Sequence, residues 1–533
     1  MRWIDITQFE NRVVGRALAE QAERIPDDPF LLSGTERLTF GEINARADAL
    51  ATGLRGLGVG QGDTVALLLE NSIDFAALTF AVNKLGAVWV PTNTTYRGEW
   101  LRQTFEDGDA KVLVVDAEFL PEVAELGPLP FKHVVVRGET AGTGPDATCT
   151  FDELARPGVR LPPVEVSPKD TSAVMWTSGT TGRSKGVMQS HSAWLWCAQL
   201  ISRARDVGDG DVFYCCVPMY NSGGWVLNVH AGLVSGLPVA IDRHFSVGEF
   251  WNRCRYYGAT QVLTLGAMHM YLWQAPPQPD DADNPVRSAG LIPMPAELVE
   301  PFKERFGIDY VWQGFGQSEV MPWTVTYPGR TYKPGSTGVP REDLEVVLLD
   351  DDDNPVPTGE VGEVCIRPRR PNVIFSGYWR QPEYTARAFA NLWYHSGDLG
   401  GFDDDGELYF VDRKADFMRY KGRNISSFEV ERVVSQHPGV AEVAAHGVPS
   451  EELATEDEVK ICVVRRPEVA VSAEEVARFV NDHAPYFMVP RYVEFVDELP
   501  HTPTGRVQKF VLRERGVGEG SWDRERSGFE VRR

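Results

Sequence analysis

The stretch Ser172-Ala-Val-Met-Trp-Thr-Ser-Gly-Thr-Thr-Gly-Arg-Ser-Lys-Gly186 decides how this chain is read. Its first five residues, Ser172 to Trp176, are an apolar run bounded by turn residues, which predicts a buried strand. Hydroxyls then alternate with glycines. Gly179 and Gly182 let backbone N–H groups turn toward one point. Thr177, Ser178, Thr180 and Thr181 add hydroxyl donors, and Lys185 adds a point charge. Together they make an anion nest suited to a polyphosphate. The alternative is an ordinary polar turn, against which stand those four hydroxyls with three glycines and a lysine within ten residues. No Gly-Lys-Ser/Thr occurs in the chain, so the loop is not a Walker A loop.

The same theme repeats outward from that strand. Asp74 to Leu85 reads as a helix, followed by the apolar run Ala87 to Pro91. Lys111–Val115, His133–Val136 and Gln261–Leu265 are further apolar runs between amphipathic segments. Continuous apolar strands between helices imply sheets covered on both faces, hence an α/β fold. A chain of 533 residues exceeds one ordinary core. The texture changes near Asp412, beyond which come a β-rich stretch (Phe417 to Lys421), a helix (Phe428 to Gln436) and strands at Val440–His446 and Val459–Val464. A helix (Ala473 to His483) and a last β run (Tyr492 to Phe495) follow. Both helices carry Ser-x-x-Glu capping patterns, Ser426/Glu429 and Ser472/Glu475. The expected organisation is a large N-terminal domain of layered α/β sheets (1–412), a hinge (413–416) and a smaller, mobile α+β domain (417–515). The charged stretch 516–533 shows no periodicity and is read as a flexible tail.

Composition narrows the partners. Hydrophobic residues make 43% and charged residues 24%, a globular balance. Acidic residues outnumber basic ones 76 to 53, giving a net charge of −23, which repels nucleic acid and anionic membranes. No membrane insertion is expected, because the most apolar stretch, Phe75 to Pro91, is interrupted by Asn83 and Lys84. The seven cysteines are scattered, with no CxxC pair, so neither a zinc knuckle nor a disulfide framework is indicated. The first residues lack an apolar signal core and the last three, Val-Arg-Arg, match no targeting address, so a cytoplasmic protein is expected.

The loop resembles the phosphate loop of the adenylate-forming superfamily, which includes acyl- and aryl-CoA ligases, nonribosomal-peptide adenylation domains and beetle luciferases. Other motifs match in order. Phe315-Gly-Gln-Ser-Glu319 is similar to the family's Tyr-Gly-x-Thr-Glu, and Gly362-Glu-Val-Cys-Ile-Arg367 with Gly377-Tyr-Trp379 to its mid-chain core. Tyr394-His-Ser-Gly-Asp-Leu-Gly400 resembles Tyr-x-Thr-Gly-Asp-Leu-Gly. Asp412-Arg413, Tyr420-Lys-Gly422 and Glu429-Val-Glu431 match the hinge region, and Pro503-Thr-Gly-Arg506 the C-terminal Thr-Gly-Lys loop. The similarity spans roughly residues 10 to 515, and so many ordered motifs exclude chance.

The resemblance implies a ligase using ATP, Mg²⁺ and coenzyme A. A carboxylate attacks the α-phosphorus, pyrophosphate leaves, and the CoA thiol then displaces AMP. Two anions must meet, so the site must supply positive charge and fixed donors. By resemblance Glu319 holds Mg²⁺ and Lys185 serves the phosphates, while Ser318 belongs to the nucleotide-binding motif. Phe315 either stacks on adenine, without the usual phenol, or is core. Asp398 offers two acceptor oxygens to the ribose hydroxyls, and Arg413 reaches ribose or phosphate. The acyl pocket is expected around Asn221, Trp225, Gly266, Ala267 and Gly314, and the CoA tunnel at Lys421 and Gly422. Apolar, aromatic and small residues there suggest a bulky hydrophobic or aromatic acid. The partners are this acid or its acyl-adenylate, and CoA. A homodimer is an allowed assembly.

Three departures from the family pattern matter. Arg506 stands where the catalytic lysine is expected, and its longer planar fork is not equivalent to an ammonium. The hinge position aligns with Ala415, beside Lys414. In Pro218-Met-Tyr-Asn221, Asn221 replaces histidine. Arg506 motivates the expectation that adenylation is impaired and that the enzyme thioesterifies a supplied acyl-adenylate. The alternatives are that Arg506 simply works, that a carrier protein or amine is the acceptor, or that the protein binds acyl-AMP without catalysis.

Overall fold

The computed structural model describes residues 2–532 except 140–146, 159–163, 178–183, 331–332, 415, 421–422, 451–456 and 502–506, with backbone only at 419–420 and 423–424. Two seven-stranded sheets build the N-terminal domain. One runs Cys149–Thr150, His133–Arg137, Val112–Asp116, Thr64–Leu68, Val88–Pro91, Thr171–Thr177 and Lys185–Ser190. Its pairs are parallel up to the last, which is an antiparallel hairpin. The other runs Tyr310–Trp312, Ser288–Ile292, Gln261–Leu265, Phe213–Cys215, Val239–Ile241, Pro29–Ser33 and Glu36–Thr39, again parallel except for its edge hairpin.

Strand alternation shows why both faces are apolar. Val65 and Leu67 enter one core, and Ala66 and Leu68 another. In the second sheet Phe213 and Cys215 share that first core, whereas Tyr214 and Cys216 face a third. The shared core also holds the helices Val14–Arg24, Phe40–Gly56, Ile73–Lys84 and His191–Ala204, so these form a layer between the sheets. Ile73–Lys84 is buried at Ile73 and from Phe75 through Asn83, as a helix packed on several sides must be. Among the described residues no helix is long and apolar enough to cross a membrane.

Beyond the sheets lies an antiparallel four-stranded sheet: Leu344–Leu349, Val361–Pro368, Tyr394–Phe402 and Leu408–Arg413. The smaller C-terminal domain is a sheet of Val440–Pro449, Asp457–Arg465, Tyr492–Phe495 and Trp522–Asp523 with helices on both faces. Ser472 forms the full capping box with Glu475. At Ser426 the hydroxyl accepts from the Glu429 amide, and also donates to the Val411 carbonyl.

The tail departs from expectation. Trp522–Asp523 pairs antiparallel with Tyr492–Phe495 as an edge strand. Arg524 is buried and donates to the Val489 carbonyl at 2.7 Å, while Trp522, Phe529 and Val531 pack on the domain core. Buried Arg491 lies 3.7 Å from Asp523 and 3.4 Å from Glu525. A short segment held by charge and isolated apolar anchors carries no periodic signal, which is why its order was not legible.

Candidate active site

The strand Thr171–Thr177 delivers the hydroxyl-rich loop, and Lys185 opens the returning strand opposite Thr177. Thr177 Oγ1 donates to the Lys185 carbonyl at 3.4 Å. Ser178, Gly179, Thr180, Thr181 and Gly182 lie outside the described residues. Lys185 Nζ sits 5.3 Å from the Tyr378 ring centre and 5.1 Å from that of Tyr384, so its charge rests over two aromatic faces.

Beside it is a connected set of carboxylates, phenols and an amide. Glu319 is 6% exposed, and its Oε1 accepts from the Tyr378 hydroxyl at 2.9 Å. Burial pushes its carboxyl above the ordinary value of 4.5, with Tyr378 and the charge of Lys185 acting in the opposite direction. The phenols of Tyr378 and Tyr394 are likewise pushed well up, first by burial and then by the Glu319 charge. Gln317 joins the two halves of the site: its Oε1 accepts from Tyr394 at 2.7 Å, and its Nε2 donates to Asp398 Oδ2 at 2.6 Å and to the Ser396 carbonyl at 2.9 Å. Asp398 pairs with Arg413 across neighbouring strands, and Arg413 Nε lies 3.5 Å from Asp398 Oδ1. An ionised carboxylate carries two acceptor oxygens, the chemistry that a vicinal diol requires.

Ser318 Oγ accepts from Ser222 Oγ at 3.1 Å, and its carbonyl accepts from the Gln189 amide. Phe315 is half-buried, its ring edge-on to Trp323 at 4.7 Å and to Phe410 at 5.0 Å. The structure therefore brings Lys185, Phe315, Ser318, Glu319, Asp398 and Arg413 onto connected elements. Sequence reasoning missed Gln317, Tyr378 and Tyr394 as individuals, although each stands inside a quoted motif.

Asn221, Gly266 and Gly314 follow the C-terminal ends of parallel strands in the second sheet, the usual position for ligands in open α/β sheets. Asn71 ties this edge to the first sheet, donating to the Val217 carbonyl at 2.9 Å and accepting from the Met219 amide at 2.7 Å. Gly266 has φ +50°, and exposed Ala267 opens the helix Ala267–Gln274. A side chain at Gly314 would place Cβ 3.2 Å from the Thr324 carbonyl. Trp225 sits deeper than these three. It is fully buried against Trp89 and Phe75, with its indole N–H bonded to the Met219 carbonyl at 2.5 Å. Its apolar area is satisfied in the core between the sheets.

At the junction Lys414 Nζ bridges Asp351 Oδ1 at 2.9 Å and Glu363 Oε2 at 3.0 Å. Buried Asp412 Oδ2 accepts from the Ser427 amide at 2.6 Å and from its hydroxyl at 2.8 Å, at the start of the helix Ser427–Val434. That is where a negative charge favours a helix. Ala415, Lys421, Gly422 and Arg506 lie outside the described residues.

Fold and site together are those of a nucleotide-handling α/β enzyme. The chain belongs to the AMP-binding enzyme family: the family model matches residues 18–379, and that of the AMP-binding enzyme C-terminal domain matches 429–506. This makes it a member of the adenylate-forming superfamily. It is 28% identical over 486 residues to a crotonobetaine/carnitine–CoA ligase of Salmonella typhi, covering 90% of this chain and 93% of that one. The solved anthranilate CoA ligase AuaEII, in complex with anthranoyl-AMP, superposes with TM-score 0.82 at 26% identity over 94% of this chain and 96% of that one. The amide bond synthetase McbA from Marinactinospora thermotolerans gives TM-score 0.78 at 25% identity over 94% and 99%.

Proposed function

We propose that this enzyme is an AMP-forming ligase that converts a carboxylic acid, through its acyl-adenylate, into a CoA thioester. The observation that carries the reading is the Gln317–Asp398–Arg413 set beside Glu319 and Lys185, next to the loop hairpin. The CoA-ligase relatives support it over nearly the whole chain. Asp398 accepts the ribose hydroxyls, Arg413 holds ribose or phosphate, and Phe315 offers its ring to adenine. Glu319 fits Mg²⁺, because it is a buried carboxylate, a hard oxygen ligand, whose Oε1 is held by the Tyr378 hydroxyl at 2.9 Å. Mg²⁺, when bound, neutralises the phosphates. Lys185 and the loop hydroxyls orient the leaving pyrophosphate. Residues 413–416 act as the hinge, and Lys421–Gly422 as the thiol path.

The acid is a bulky hydrophobic or aromatic one, a reading supported by small residues at Gly266, Ala267 and Gly314 without an evident ion partner for an amino group. Arg506 weakens the first half-reaction, because its fork does not reproduce a flexible ammonium at the point of attack. The purified enzyme, given ATP and aromatic acids, should release little pyrophosphate yet consume synthetic acyl-AMP plus CoA. Arg506→Lys should raise pyrophosphate release. Fast release by the unmodified enzyme overturns the impairment while leaving the ligase reading intact. Faster consumption with an amine than with CoA would move the assignment toward the McbA-like outcome.

A further inference from the structure

Lys414 leads to a group of side chains separate from the nucleotide set. Glu363 and Cys365 are two residues apart on the strand Val361–Pro368, and Cys365 pairs directly with His395 on Tyr394–Phe402. Alternation along a strand sends positions two apart to one face, and a paired residue stands beside them. Cys365 Sγ is 3.4 Å from His395 Nδ1, which is 3.3 Å from Glu363 Oε2. Glu363 and Cys365 are buried, and the His395 side chain is 17% exposed.

These two spacings match edges of a coordination polyhedron, and the three ligand atoms all lie within 4.8 Å of one another. A tetrahedral Zn²⁺ with a thiolate at about 2.3 Å and nitrogen or oxygen at about 2.0–2.2 Å sets its ligand atoms about 3.3–3.6 Å apart. The supports around the three groups fit as well. The Gly397 amide donates to Glu363 Oε1 at 3.0 Å, while Oε2 faces His395 Nδ1 and Lys414 Nζ. His395 Nε2 has no hydrogen-bond partner among the described residues and lies 3.8 Å from Asp353 Oδ1. A carboxylate behind the far nitrogen is how ligating imidazoles are oriented. Lys414 Nζ is the cation that now meets Glu363 Oε2, at 3.0 Å, and it has a second carboxylate in Asp351.

We propose that Glu363 Oε2, Cys365 Sγ and His395 Nδ1 form a three-ligand site for Zn²⁺, and that the ion competes with Lys414 for Glu363. A thiolate, an imidazole and a carboxylate select a borderline-soft ion over Mg²⁺, so the site is distinct from the one assigned to Glu319. Water completes the fourth position. Occupancy moves Lys414 onto Asp351 alone. Because Lys414 lies within residues 413–416, the ion then alters the tether of the C-terminal domain, a consequence that rests on the hinge reading above.

The test uses the full chain with Zn²⁺ or Co²⁺ alone, without ATP, acid or CoA, so its failure is separable from failure of the ligase reading. Calorimetry should give one tight Zn²⁺ equivalent, and Co²⁺ should show a thiolate-to-metal charge-transfer band. Cys365→Ser should abolish the band, and His395→Gln should weaken affinity by about 10-fold or more. His395→Gln, at a part-exposed position, carries the test if Cys365→Ser does not fold. Lys414→Ala should tighten Zn²⁺ binding severalfold by removing the competing ammonium. A Co²⁺ complex without the band, a band that survives Cys365→Ser, or binding unaffected by His395→Gln would overturn the site. Unchanged or weaker binding in Lys414→Ala would overturn the competition.

Discussion

Glu319 is a carboxylate kept where ionisation is disfavoured. Its proton affinity in the fold is raised by burial, so its contribution to stability is full below the ordinary value of 4.5 and is lost as pH rises through the higher folded value. Glu319→Gln is therefore expected to raise Tm near pH 8, with the gain shrinking toward about pH 4, while ligase activity falls. Thermal melts across that range check the sign, and a gain that grows toward acid would contradict it. Asp398→Ala removes the acceptor shared by Gln317 and Arg413, and nucleotide affinity should fall about 10- to 100-fold. Titration with AMP reads this directly. Asp398, Arg413 and Glu319 were singled out in the sequence because the motifs name them, and the structure places them on connected elements. Tyr378 was not, since it meets Glu319 from 59 residues away and spacing along the chain carries no record of such a partner.

At the scale of elements, the reading followed apolar continuity. Gln261–Leu265 and Ala473–His483 have the boundaries their patterns indicate. Residues Trp225–Val229 wind as a π-turn, which changes the face each side chain occupies in a way spacing does not reveal. Asp412 links the last strand of the four-stranded sheet to the helix Ser427–Val434, with charge-assisted bonds to Ser427. Asp412→Ala should cost about 1.5–3 kcal/mol per charge-assisted bond lost and raise amide exchange at the start of that helix. Ser472→Ala, which removes a complete capping box, should cost about 1 kcal/mol. Denaturant melts measure both. The terminal segment is a structural strand, so truncation after Arg515 removes Asp523 and Glu525 from Arg491 and should lower Tm. An unchanged Tm would show that the segment contributes nothing.

The whole molecule sets two parallel sheets against a common helical layer and places the ends of their strands beside the four-stranded sheet that carries Asp398 and Arg413. The layered class was legible because both sheets are apolar on both faces. The pairing of sheets was not, because it depends on contacts such as Asn71 to Val217 and Met219 that join distant segments. On the function proposed above, an acyl-adenylate would span from a ribose held at Asp398 toward the ends of the second sheet, and the C-terminal domain would supply the path for a thiol. Single-turnover mixing of the enzyme with an aryl-adenylate and CoA tests that claim most directly. AMP and the aryl-CoA thioester should appear together in equal amounts, and Asp398→Ala should slow both. Tight adenylate binding with no AMP released in the presence of CoA would contradict the account.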